Sequence, residues 1–138
     1  MTAVAWIGMT VEVRRRIFRQ FASTGSPPEL APGQLAALAN EHAVVLDGEG
    51  RIAFANPFAA SPAPYTVVTP TRVRFAVCVW DGLGVAAALG EDARVESCCP
   101  DCHEQLCLEV RGGALIPSDT VVHFLVPASQ WYANLDYT

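Results

Sequence analysis

The sequence lacks several features that would assign a chain to a broad class. No apolar run reaches the roughly 18 residues that a transmembrane helix requires, so we expect no membrane partner. The arginine cluster near the N-terminus follows the apolar stretch, whereas a secretory signal peptide has the reverse order, and this predicts a cytoplasmic protein. There is no internal repeat and no low-complexity tract. A hydrophobic content of 51% with only 17% charged residues predicts a globular chain rather than a disordered one.

Basic charge is also scarce, and it is unevenly distributed. The 138 residues contain no lysine, and nine arginines face 14 acidic residues, which gives a net charge of −5. Residues 1–60 carry five arginines and five acids, whereas residues 61–138 carry four arginines and nine acids. A protein that binds nucleic acid needs a basic surface. The charge distribution therefore argues against a nucleic-acid partner.

The first part of the chain predicts a small helical module followed by a β-hairpin. Apolar residues recur at helical spacing in residues 11–22, and a second, shorter helix is predicted at residues 32–41. In residues 43–55 two β-rich runs flank a turn-forming Asp-Gly-Glu-Gly tetrad. This order predicts a winged-helix-like domain over residues 1–60. Its candidate recognition helix has no Arg or Lys, so a structural or substrate-covering role is favoured over DNA binding.

The second part, residues 61–138, predicts a domain with a small mixed or antiparallel sheet and one main helix. Residues 56–64 are Pro-rich and predict a linker in front of it. The main helix is predicted at residues 79–89, with Gly90 as its C-cap. Strands are predicted at residues 65–68, 72–77, 93–97, 106–110 and 121–126, with a last helical start near Pro127. His123 lies in the apolar last strand and is predicted to pack in the core. The fold class is therefore α+β.

Cysteine is abundant in one short region. Four of the five cysteines, Cys98, Cys99, Cys102 and Cys107, lie within ten positions, which in a cytosolic chain predicts metal binding or thiol chemistry rather than disulfides. Cys99-Pro-Asp-Cys102 has the spacing of a zinc knuckle, but structural zinc usually takes four ligands and no second such pair follows. The alternatives are a metal site, with zinc as the candidate ion, and a set of reduced thiols. We expect Cys99 and Cys102 at a tight turn between strands, with both sulfurs on one side.

The fifth cysteine, Cys78, stands three residues before Asp81 in the otherwise apolar stretch "FAVCVWDGL". Positions three apart at a helix start point to one side. A thiol there is expected to have a lowered pKa, and a carboxylate in an apolar wall a raised pKa. The pair suits binding of a soft metal at sulfur and protonation of a group attached to that metal. The alternative is a buried Cys78 with Asp81 as the N-terminal helix cap.

The stretch "FAVCVWDGLGVAAALGEDARVESCC" resembles the alkylmercury (organomercurial) lyases. That family has a Cys-x-x-Asp at the head of a helix, a Leu-Gly that ends it, an Ala-Arg-Val-x-Ser strand and a further cysteine. Here these are Cys78 and Asp81, Leu89-Gly90, residues 93–97 and Cys99. The hairpin "LDGEGRIAF" and the helical module before it also match, so the resemblance runs from about residue 11 to the end.

The resemblance implies that cysteine thiolates hold the mercury of R–Hg⁺ while an aspartate protonates the carbon. Cys78 would be the first thiolate and Asp81 the proton donor. No cofactor would be required, the organomercurial would be the substrate, and thiols would accept the mercury product. Cys99 matches a family cysteine that is regarded as structural.

The sequence departs from the family at the second catalytic cysteine. The family has this residue in the segment after "VVHFLVP", but the corresponding segment here, "ASQWYANLDYT", has no cysteine. Thr138 stands at or immediately before the expected position. We therefore expect a truncated or divergent member with weak or no turnover. Cys98, Cys102 and Cys107 are additional to the family pattern and would supply a replacement thiol or a separate metal site.

Two other functions stay open at this point. A non-enzymatic protein that binds zinc, copper or mercury through thiolates would need only the cysteine cluster. A metal-sensing regulator would need a basic surface that faces DNA, which the sequence does not offer.

Overall fold

The structure is a computed structural model that describes residues 3–133, with side chains from residue 11 onward except that of Tyr132. Its helices are α1 (Ala3–Thr24), α2 (Pro32–Asn40) and α3 (Val79–Leu89), and a 3-10 helix spans Ala128–Ala133. Its strands are β1 (Val45–Leu46), β2 (Ile52–Ala55), β3 (Phe58–Ala59), β4 (Tyr65–Val68), β5 (Val73–Ala76), β6 (Ala93–Cys98), β7 (Gln105–Arg111) and β8 (Ala114–Leu115).

The eight strands form one antiparallel sheet in the order β1-β2-β3-β5-β4-β6-β7-β8. Near its middle, β4 lies between β5 and β6, so that Val67 is opposite both Arg74 and Val95. Val67 and Val95 are buried on the face that contacts α3, and we call this the α3 face of the sheet. Helices packed on an antiparallel sheet confirm the α+β class.

Helix α3 lies very close to the sheet because it carries a glycine where it crosses β6. A Cβ built on Gly82 would lie 2.6 Å from Cγ1 of Val95, so no larger residue fits without movement. The helix ends at Gly90, whose φ of 64° is the left-handed conformation that glycine adopts without steric cost. The close approach holds the N-terminal end of α3 against the sheet.

Helix α1 is fastened to the same sheet through an aromatic pair and a buried arginine. Phe21 stacks on Phe58 of β3, with ring centroids 5.6 Å apart. The guanidinium of Arg74, on β5, donates to the carbonyl oxygens of Phe21, Ala22 and Ser23 at 2.8–2.9 Å. Arg74 thereby adds to the Gly25 N–H on the Phe21 carbonyl and to Arg72 on the Ala22 carbonyl, and it supplies a donor to the Ser23 carbonyl at the helix end.

Most of the predicted elements are confirmed, including both N-terminal helices, the hairpin and the main helix. The linker prediction for residues 56–64 is wrong, because β3 lies within that segment and Phe58 is buried at 1% exposure. The sheet also continues across residue 60. The predicted boundary between two domains at residue 60 stays a prediction. The same holds for the winged-helix-like character of residues 1–60.

The predicted strand at residues 121–126 is wrong. This segment has no strand pairing in the structure, and the described sheet ends at β8, which pairs with β7. Its apolar side chains are exposed, Val121 at 85% and Leu125 at 59%. His123 is exposed as well and is not a core residue. Thr138 lies outside the described residues. No helix in the described part of the chain is long and apolar enough to cross a bilayer.

Candidate active site

Cys78 is the N-cap of α3, and it is joined to Asp81 by two hydrogen bonds. Its backbone is extended (φ −140°, ψ 169°), and its Sγ accepts a hydrogen bond from the Asp81 N–H at 3.3 Å. In return, the thiol donates to Oδ2 of Asp81 at 3.4 Å. The thiol thus takes the place that the hydroxyl of a Ser or Thr N-cap usually has, as acceptor for the N–H of the third helical residue. The two side chains therefore lie on one side, as predicted, whereas the cap is Cys78 itself and not Asp81.

Burial decides the ionisation of this pair. Asp81 is only 8% exposed, and this desolvation raises its pKa, while the hydrogen bond from Cys78 lowers it. Desolvation also raises the pKa of Cys78 to about 11, and the negative charge of Asp81 adds to the effect. The backbone N–H groups of Trp80 and Asp81 at the helix start lower the pKa of Cys78, but this effect is smaller than that of burial. The prediction of a lowered Cys78 pKa is therefore wrong, and at neutral pH its proton is directed at the carboxylate.

Tyr65 is a site residue that the sequence did not reveal. It is opposite Ala76 on β5, which lies two residues before Cys78, and its hydroxyl lies near Ser97 on β6, whose own hydroxyl donates to the Pro64 carbonyl at 2.9 Å. Burial raises the pKa of Tyr65, the Ser97 contact lowers it, and the nearby sulfurs of Cys78 and Cys99 raise it further. The phenol thus lies close to both thiols. Only the order of the strands brings these residues together, so no local sequence signal could have identified it.

The five cysteines do not form one group. Residues on a strand alternate between the two faces of the sheet. Val95 is on the α3 face, so Cys99, four positions later, points to the same face. Cys98 and Cys107 are on the opposite face: Cys107 is paired with Glu96, and the Cys98 thiol donates to the carbonyl oxygen of His103 at 3.1 Å.

Cys99 and Cys102 are brought together by the turn between β6 and β7. The Cys99 N–H donates to the Glu104 carbonyl at 2.8 Å, and the His103 N–H donates to the Cys99 carbonyl at 2.9 Å. His103 adopts a positive φ of 59° to close this turn. The backbone of Cys102 and Asp101 and the Cys102 thiol lie near the Cys99 sulfur and lower its pKa. The predicted tight turn is confirmed, and the placement of both sulfurs on one side stays a prediction.

The family model "MerB: Alkylmercury lyase" matches residues 58–138, more than half of the sequence. The chain belongs to the alkylmercury lyase family. Among solved structures it is similar to the mercury-bound form of MerB2, with a TM-score of 0.63 and 22% sequence identity. That match covers 80% of this chain and 59% of the MerB2 chain, so the present chain spans about three fifths of the length of its structural relative. A search of curated proteins finds no match.

In this alkylmercury lyase family member, the matched region contains Asp81 and all five cysteines. It also contains three neighbouring strands of the sheet. Strand β5 leads into α3, β4 begins at Tyr65, and β6 leads into Cys99.

The predicted zinc site is not assembled as a ligand set. Within residues 3–133, no three or more His, Cys, Asp or Glu side chains are grouped so that they could hold a metal ion. Structural zinc is almost always held by four ligands. The turn offers one close pair of sulfurs, and zinc binding by residues 98–107 stays a prediction.

Proposed function

We propose that this chain binds an organomercurial at Cys78 and cleaves its carbon–mercury bond with a proton from Asp81. The observation that carries the proposal is the 3.4 Å contact between the thiol and the carboxylate at the buried start of α3. Membership of the alkylmercury lyase family supports the reaction class. Mercury is the substrate metal here, and a thiolate is the ligand that a soft cation of this kind prefers.

The first step follows from the direction of that hydrogen bond. When R–Hg⁺ binds at Cys78, an S–Hg bond forms and the S–H bond breaks. The proton passes to Asp81, which already accepts a hydrogen bond from the thiol. Burial raises the pKa of Asp81, so the carboxyl group holds this proton more firmly than an exposed aspartate would.

The second step returns the proton to the substrate. The electron pair of the carbon–mercury bond takes the Asp81 proton, R–H leaves, and Hg²⁺ remains on the Cys78 sulfur. An aspartate in water has a pKa near 3.9 and would be almost fully ionised at neutral pH. The 8% exposure of Asp81 therefore suits it to act as a general acid.

We expect turnover to be slow in this chain. Residues 108–138 contain no cysteine that could act as a second thiolate beside Cys78. A thiol from solution, or another cysteine of the chain, would have to stabilise the Hg²⁺ product. Binding of the organomercurial at Cys78 should be retained.

The test is benzene release from phenylmercury in the presence of excess thiol. Cys78→Ser is the key variant, because a serine hydroxyl keeps the helix cap but removes the soft ligand. It should abolish both phenylmercury binding and benzene release. Asp81→Asn should bind phenylmercury but release no benzene. Cys107→Ser, on the opposite face of the sheet, is the matched control and should behave like the parent.

Two results would contradict the proposal. Phenylmercury binding that survives in Cys78→Ser would exclude Cys78 as the ligand. Benzene release that is undiminished in Asp81→Asn would exclude Asp81 as the proton donor. Mercury on Cys78 with no benzene release from the parent chain would favour the alternative function, a thiolate protein that binds mercury without cleavage.

A further inference from the structure

We propose that Cys99 and Cys102 form a two-sulfur binding site for a soft, two-coordinate cation, and that this site takes up the Hg²⁺ that cleavage leaves on Cys78. The uptake of product rests on the proposed function. The existence of the two-sulfur site does not, because it follows from the turn itself.

The two sulfurs are already together in the structure without a metal. The turn is fixed by two backbone hydrogen bonds, at 2.8 and 2.9 Å, and it brings the Cys102 thiol near enough to the Cys99 sulfur to lower the pKa of Cys99. Cys99 is half-buried and Cys102 is exposed, so the pair is open to solvent on the Cys102 side. A cation that binds here needs little rearrangement of the chain.

The number of ligands selects the class of cation. Zinc requires about four ligands, and the part of the chain that the structure describes has no group of three. Cys98, the nearest other thiol in sequence, points to the opposite face and donates to the His103 carbonyl. Two thiolates with no third ligand suit a soft d10 cation, for which sulfur is the preferred donor and two-coordinate binding is common. Hg²⁺, Cu⁺ and Ag⁺ belong to this class.

The location of the pair connects it to Cys78. Strand β4 lies between β5, which leads into Cys78, and β6, which leads into Cys99. Both cysteines are on the α3 face, and they are separated by two strand spacings, roughly 10 Å between their Cα atoms. Tyr65 is on β4, between the strands that lead into them, and the charges of both sulfurs raise its pKa. A mercuric ion on Cys78 is thus one short step away from Cys99.

The transfer is an exchange of sulfur ligands with no change in oxidation state. The Cys99 thiolate forms a bond to the mercury on Cys78, and the Cys78–mercury bond then breaks. The Cys102 thiol loses its proton as its own sulfur–mercury bond forms, and Cys78 takes up a proton. The products are mercury held by Cys99 and Cys102, and a Cys78 thiol ready for another substrate.

The site is tested with inorganic Hg²⁺ on a Cys78→Ser chain, in which the lyase site is disabled. In buffer that contains a competing monothiol, this chain should retain one Hg²⁺ by native mass spectrometry. Bound Hg²⁺ should protect Cys99 and Cys102 from alkylation but leave Cys98 and Cys107 reactive. Adding Cys102→Ser should weaken binding by about 100-fold or more, because the second sulfur then has to come from solution. Adding Cys107→Ser should have no effect.

Other results would overturn the two-sulfur site. Undiminished Hg²⁺ binding after Cys102→Ser, or protection of Cys98 and Cys107 instead, would place the ion elsewhere. Zn²⁺ bound as tightly as Hg²⁺ would contradict the two-ligand assignment. Circular dichroism of each variant identifies any loss of binding that comes from misfolding, and Cys99→Ser provides an independent second removal of the pair.

The transfer is tested separately with one equivalent of phenylmercury on the full chain that retains Cys78. After benzene release, peptide mapping should find mercury on Cys99 and Cys102 and a free Cys78. With Cys102→Ser, mercury should stay on Cys78 or pass to the buffer thiol. Mercury that remains on Cys78 in the parent chain would refute the transfer. If no benzene is released, the proposed function is refuted. The two-sulfur site is then still decided by Hg²⁺ binding to the Cys78→Ser chain.

Discussion

Replacing Asp81 with asparagine tests whether burial or charge controls the Cys78 thiol. Burial is the largest cause of the raised pKa of Cys78, and the charge of Asp81 and its hydrogen bond to the thiol are smaller ones. A shift from 9.0 to about 11 makes the thiolate fraction at pH 7 about 100-fold smaller than that of an ordinary cysteine. Asp81→Asn removes the negative charge but leaves the surroundings apolar. We expect the pKa of Cys78 to fall in this variant but to stay above 9.0.

The assay is the rate of iodoacetamide alkylation as a function of pH, resolved for each cysteine by peptide mass spectrometry. Only the thiolate reacts, so the midpoint of each rate profile reports the pKa of that residue. Cys99 is an internal reference, because its pKa is lowered and it should react faster than Cys78 at pH 7. A Cys78 midpoint at or below 9 in the parent chain would refute the argument from burial. A midpoint unchanged by Asp81→Asn would show that the carboxylate is not coupled to the thiol.

Three further outcomes follow from packing and charge. Gly82→Ala should lower the free energy of unfolding by about 1–3 kcal/mol in urea titrations, because the methyl group of the alanine would lie 2.6 Å from Val95 Cγ1. Adding Val95→Ala, which removes this clash, should recover part of the lost stability. Arg74→Met should cost about 1–3 kcal/mol by the same measurement, since it removes three hydrogen bonds to helix carbonyls, although Gly25 and Arg72 still donate to two of these carbonyls. Arg94→Ala, which removes an exposed ion pair, should cost less than about 1 kcal/mol. The free energy of unfolding should fall by about 2 kcal/mol between pH 9 and about 11. The Cys78 thiol has a higher pKa in the folded state than in the unfolded state, so its contribution to stability is complete below pH 9 and is lost as the pH rises through the folded pKa. Cys78→Ser should remove this part of the pH dependence.

The helices were predictable where the sequence marks their ends. Helix α3 was predicted at residues 79–89 and spans Val79–Leu89, because a glycine that can adopt the left-handed conformation follows it directly. Strands were less predictable, because a strand needs a partner that its own sequence does not specify. Residues 121–126 have the composition of a strand, but they pair with nothing in the described sheet. Strand β3 has only two residues beside a proline, which is too short to give a periodic signal.

The candidate site was predictable at short range only. A spacing of three residues at a helix start was enough to place Cys78 beside Asp81. The direction of the Cys78 pKa shift was not predictable in the same way, because it depends on how much of the fold covers the thiol. Tyr65 could not have been found from sequence, since it joins the site through the order β5-β4-β6.

The contrast between Cys78 and Cys99 gives the proposed transfer its direction. Backbone N–H groups lower the pKa of both sulfurs, but only Cys78 is desolvated strongly enough for burial to dominate, so the two pKa values move in opposite directions. At neutral pH the Cys78 sulfur holds its proton firmly, and mercury that binds there has to displace it. Once R–H has left, a proton therefore competes with Hg²⁺ for the Cys78 sulfur. Cys99 gives up its proton more readily, and Cys102 supplies a second sulfur within the same turn. Proton competition and chelation therefore both favour movement of Hg²⁺ from Cys78 to the turn, and the proton that returns to Cys78 restores its hydrogen bond to Asp81.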